Sequence, residues 1–74
     1  MPEVSWGESV TVKAEASEVM RPGAIGAVCG IREIENEAQA REFGAPIGSK
    51  VYLVEFNDGA SIEIPEVWIE ATSA

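Results

Sequence analysis

Apolar and polar residues fall into strand-like patterns along much of this chain, most legibly between Lys50 and Ile69. There Val51 to Phe56 is β-branched and aromatic, Asn57-Asp58-Gly59 supplies turn chemistry, and Ser61 to Ile64 alternates polar with apolar. This pattern predicts a β-hairpin, because successive strand side chains point to opposite faces and glycine tolerates the positive φ of a tight turn. Pro65 ends the second strand of the pair, since it has no N–H to give to a ladder. Tyr52, Val54 and Phe56 share one face, Val51 and Leu53 the other, and Ile62 and Ile64 are buried from the following strand. A strand that is apolar on both faces is central or is covered by another element.

The rest of the chain extends the pattern. Ser9 to Ala14 puts Val10 and Val12 on one face and Thr11 and Lys13 on the other, which reads as a first strand. Glu15 to Gly23 is a loop closed by Arg21-Pro22-Gly23. Ala24 to Ile34 is a second strand rich in small residues, in which Val28 and Ile31 differ in parity. Either a bulge at Gly30 brings both to one face, or the strand is regular and Ala27, Cys29 and Ile31 point inward. The period changes over 36–44. Asn36 suits an N-cap, Gln39 lies three residues on as in a capping box, and Gly44 suits the C-terminal end with Pro46 beyond. A two-turn helix is marginal alone, so Phe43 and Ala40 must dock it, and Glu37 and Arg41 are spaced to pair. Pro65 to Trp68 reads as a 3₁₀-type connection into a short last strand around Ile69, while Trp6 beside Gly7 either folds back or stays exposed. The expectation is a mainly β domain over residues 1–74, with a helical insertion at about 36–44.

Charge narrows the partners. The 74 residues carry 5 basic and 13 acidic side chains, a net charge of −8. Such a field repels nucleic acid and anionic membranes, whose binding depends on Lys and Arg, and steers basic proteins inward. Acidic surfaces also keep small proteins soluble. One cysteine cannot form an internal disulfide, the first residues lack a basic and apolar leader, and no apolar run approaches the ~20 residues of a membrane span. The expected address is cytoplasmic.

Catalytic chemistry is sparse. The chain has no histidine, which removes the commonest general base and zinc ligand. Cys29 sits in a hydrophobic run without a flanking cation and reads as a small core residue. Gly44 to Lys50 has the wrong spacing and order for a phosphate loop, and Asn57-Asp58-Gly59 lacks the further ligands of a calcium loop. No spacing singles out a pair among the many carboxylates for acid–base work. No enzyme, metal site or cofactor is expected.

The segments W-G-E-S-V-T-V (6–12), R-P-G-A-I-G-A-V-C-G-I (21–31) and Y-L-V-E-F-N-D-G (52–59) together resemble the strand pattern of the SH3-like small β-barrel superfamily. That pattern recurs in KOW modules, the small chain of ferredoxin–thioredoxin reductase and the barrel of the nitrile hydratase β subunit. It covers about two-thirds of the chain and implies a five-stranded barrel, here with a short helix inserted between strands two and three. The KOW likeness would imply RNA or ribosomal-protein contact, against which the acidic balance stands. The run V-C-G-I-R-E-I-E followed by the inserted helix, Y-L-V-E-F-N-D-G and I-P-E-V-W-I-E is also similar to small bacterial immunity-type proteins of polymorphic toxin systems.

The function expected on these grounds is a non-enzymatic protein-binding module, an immunity or inhibitor type with an acidic face toward a basic partner. The alternative is an accessory barrel subunit of a larger enzyme complex. Glu55, Glu63 and Glu66 form the expected acidic strip, with Trp68 and Tyr52 as aromatic anchors, although Trp68 between Val67 and Ile69 reads as core or half-buried. The two apolar faces of 51–56 need cover, which is a reason to expect a homodimer.

Overall fold

In a computed structural model, which describes residues 6–72, the chain forms one antiparallel sheet of five strands, ordered β4-β3-β2-β1-β5. The strands are β1 (Ser9–Val12), β2 (Ile25–Glu33), β3 (Lys50–Phe56), β4 (Ser61–Pro65) and β5 (Ile69–Ala71). A single α-helix, α1 (Glu37–Phe43), lies between β2 and β3, and short 3₁₀ turns cover Glu18–Met20 and Glu66–Trp68. No helix among the described residues is long and apolar enough to cross a membrane.

The hairpin forms where its residues place it. The Phe56 N–H donates to the Ala60 carbonyl at 2.9 Å, and Gly59 takes φ 86° in the turn. The Asp58 carboxylate accepts from the Ala60 N–H at 3.1 Å, an Asx-type lock on the loop. Beyond the turn, Val54 faces Ile62 and Tyr52 faces Ile64.

The parity conflict in β2 is resolved by a bulge. Val28 stands opposite Val54 and Gly30 opposite Leu53, so Cys29 is the extra residue. The irregularity is thus centred one position before the expected Gly30. It returns Ile31 to the face of Val28, opposite Tyr52. The regular strand with Ala27, Cys29 and Ile31 inward does not occur.

The core has two parts, one on each face of β3. The larger joins Val10, Val12, Val28, Tyr52, Val54, Phe56, Ile64 and Ile69, with Ala16 and the half-buried Met20, Ala24, Ile62 and Trp68 around it. The smaller joins Ile34, Ala45 and Val51, with Ala40 and Phe43 of the helix against them. The helix is fixed at both ends. The Asn36 side chain accepts from the Gln39 N–H at 2.9 Å, Gln39 reaches back to the Glu35 N–H at 2.8 Å, and Gly44 closes it at φ 65°. Glu37 and Arg41 form no ion pair among the described residues. The Tyr52, Val54 and Phe56 face of β3 is covered by the main core, whereas on the other face the helix covers Val51 and leaves Glu55 exposed.

Closure into a barrel is the point of departure. β4 and β5 are the two ends of the strand order, and no pairing joins them among the described residues. The physical reason lies in the edges: β5 has three residues, and β4 ends at Pro65, which has no N–H to donate.

Candidate functional site

The outward face of the sheet carries three exposed carboxylates, Glu55, Glu63 and Glu70, and strand register fixes their positions. Glu55 on β3 stands opposite Ser61 on β4 and Ala27 on β2, while Glu63 stands opposite Leu53 two residues along. These two share one face as diagonal neighbours, at roughly 7–8 Å between their strand positions. Glu63, however, is already engaged. Arg32 reaches it from β2 through Nε to Oε2 at 2.7 Å and Nη2 to Oε1 at 3.0 Å. Two parallel bonds of this kind hold a carboxylate in one orientation. The Arg32 guanidinium also lies 5.3 Å from the centre of the Phe43 ring, so this clamp ties β2, β4 and α1 together.

Glu66 is displaced from the strip. It opens the 3₁₀ turn after Pro65, and its carboxylate accepts from the Lys50 backbone N–H at 3.1 Å, at the start of β3. Tyr52 is 3% exposed and packs in the main core opposite Ile64, so it offers no surface to a partner. Its parity with Val54 and Phe56 puts it there.

Trp68 is half-buried against the main core, and its carbonyl accepts from the Lys13 N–H at 2.8 Å. It lines an open groove of about 670 Å³ with Val12, Lys13, Glu15, Val67 and Glu70. Glu70 borders this groove on β5, opposite Thr11. The five expected binding residues therefore do not form one strip. Glu55 is open, Glu63 and Glu66 are occupied by contacts within the chain, Trp68 walls a separate groove, and Tyr52 is core.

Other residues take their place on the open half of the face. Ile25 at the start of β2 is 56% exposed, with Thr11 beside it on β1 and Ala27 two positions on. Parity contained this signal: Ile25 is an odd number of residues before the buried Val28, hence on the opposite face of a strand that is regular up to the bulge. At one corner Arg21 donates from Nη1 to Asp58 Oδ1 at 3.0 Å, and its guanidinium sits 5.1 Å from the Phe56 ring centre. Arg21 itself takes φ 61°, a left-handed conformation that is uncommon for a residue with a Cβ. The ion pair ties the first loop to the β3–β4 turn across the end of the sheet.

That tie titrates. The Arg21 guanidinium, and next the Ala60 N–H, hold the Asp58 carboxyl below the usual carboxylate range. A carboxyl lowered in the folded chain contributes stability above its unfolded value of about 3.9 and loses it as pH falls through the folded value. Asp58→Asn is therefore expected to unfold at lower urea than the parent at pH 7, with the gap narrowing below about pH 4. A gap that stays constant through the acid range would show that the charge of Asp58 does not act through this pair.

Among the described residues no group of three or more metal-capable side chains comes together. No family model, curated protein or solved structure significantly matches this chain.

Proposed function

We propose that this chain is a non-enzymatic protein-binding module that presents an acidic surface to a basic partner protein. The observation that carries it is where the charge sits. No charged side chain is buried among the described residues, so the 12 acidic and 5 basic groups within residues 6–72 all lie at the surface. A surface of this sign raises the encounter rate with cationic partners and disfavours anionic ones. An immunity- or inhibitor-type role fits a chain that acts by occupying its partner. The strand order β4-β3-β2-β1-β5, with a 3₁₀ turn leading into the last strand, supports an SH3-like arrangement of the sheet.

The test is titration with polylysine and polyglutamate of matched length, followed by tryptophan fluorescence as salt is raised. Polylysine is expected to bind and to be released as the Debye length shrinks from about 10 Å at 0.1 M to about 3 Å at 1 M. Equal binding of both polymers, or binding indifferent to salt, would sink the proposal.

A further inference from the structure

Resting on that acidic-binder reading, we infer that the open half of the outward sheet face docks an extended basic segment of another protein. The segment carries Lys or Arg at positions i and i+4 around an apolar residue at i+2. The far half of this face is closed by α1 over Val51. Among the described residues the near half is not. Its centre is Ile25 with Ala27, flanked by Thr11 and Ser9 from β1. Open cavities of about 420 and 350 Å³ border Ile25, both reaching Phe56 and Asn57.

Charge selects the occupant. Asp58 and Glu63 are neutralised by Arg21 and Arg32, whereas Glu55 and Glu70 enter no ion pair among the described residues. Glu55 lies on β3 opposite Ala27, and Glu70 on β5 opposite Thr11, which in turn is opposite Ile25. The two carboxylates thus flank the apolar centre from either side. They are three strand spacings apart across the sheet, about 14 Å at ~4.8 Å each, and two residues apart along the strands, about 7 Å, which together set them about 16 Å apart. An extended chain rises about 3.3 Å per residue, so its i and i+4 side chains stand about 13 Å apart on one face, and the flexible stems of Lys or Arg reach across the remaining ~3 Å. Its i+2 side chain then falls between them, over Ile25. A second copy of this chain fits poorly here, because it would set Glu55 and Glu70 against another −8 surface.

The experiment titrates the full chain at low salt with a Ser/Gly peptide bearing lysines at i and i+4 and leucine at i+2. The control peptide has the same composition with its lysines adjacent. Preferential binding of the first peptide is expected, weakened about tenfold by Glu55→Gln with Glu70→Gln, the loss of two partly exposed charge pairs. Ile25→Ser is expected to remove the preference for leucine over serine at i+2. All three positions are exposed, and an unchanged thermal midpoint shows that the variants fold. If both peptides bind alike and the variants bind as the parent does, the docking site is wrong while the acidic-binder reading survives. If no basic polypeptide binds at low salt, both fail. Self-association abolished by Ile25→Ser would assign the face to a second copy and overturn the inference.

Discussion

Truncating Ile64 to alanine is expected to lower the unfolding free energy by about 2–5 kcal/mol, the range for a large aliphatic side chain removed from a packed interior. Ile64 is 0% exposed and stands opposite Tyr52, in the cluster that joins β1, β2, β3 and β5. Its removal costs the transfer free energy of the lost carbons and also leaves a cavity. The sheet cannot collapse to fill that cavity, because the side chains around it belong to strands held in register with one another. At about 0.05–0.15 kcal/mol per residue, a chain of 74 residues has roughly 4–11 kcal/mol in total. One methylene-rich side chain therefore accounts for a large share of it. Urea unfolding would read the loss as a lower midpoint at constant slope. Ile62→Ala is the internal comparison, since Ile62 lies on the same face of β4 but is only partly buried against the same cluster. If Ile62→Ala costs as much as Ile64→Ala, burial is not what sets the stability of this edge.

What the amino-acid pattern revealed divides along a physical line. Features fixed by neighbours in the chain were legible: the hairpin from its alternation and turn residues, the helix from Asn36, Gln39 and Gly44, and the 3₁₀ connection after Pro65. The 3₁₀ turn at Glu18–Met20 was not, because three residues carry no period to detect. Features fixed by pairing across the sheet were legible only as alternatives. The parity of Val28 and Ile31 demanded a bulge, but only the register with β3 places it at Cys29. The candidate site suffered most from this limit. Glu63 is neutralised by a guanidinium 31 positions away, and Glu66 turns back to a backbone N–H 16 positions away. Neither partnership has a local signature. Tyr52 is a different case: it is a candidate because it is aromatic, whereas its parity with Val54 and Phe56 puts it on the buried face.

Alanine at Gly26 is the second large effect, expected at about 1–3 kcal/mol of destabilisation from overpacking. A Cβ built there would lie 2.6 Å from Val54 Cγ1, 2.7 Å from the Glu55 carbonyl oxygen and 3.1 Å from Phe56 Cδ1. A side chain can rotate away from such a contact. A carbonyl engaged in a sheet cannot, so β2 and β3 must separate where Gly26 faces Phe56. Gly30 on the same strand provides the contrast. Its added Cβ would meet only Leu53, at 3.2 Å from Cβ and 3.6 Å from Cδ2, and a few tenths of an ångström of movement relieves that. Gly30→Ala is expected to be much milder, and loss of glycine's freedom in the unfolded chain, worth about 0.4–1 kcal/mol, offsets part of it. Equal midpoints for the two variants in urea would show that β3 is free to move at Glu55. The same displacement bears on the proposed docking face, because Gly26 lies between Ile25 and Ala27 and the obstructing carbonyl belongs to Glu55. A folded Gly26→Ala chain should therefore bind the i, i+4 dilysine peptide more weakly than the parent, whereas Gly30→Ala should leave that affinity nearly unchanged.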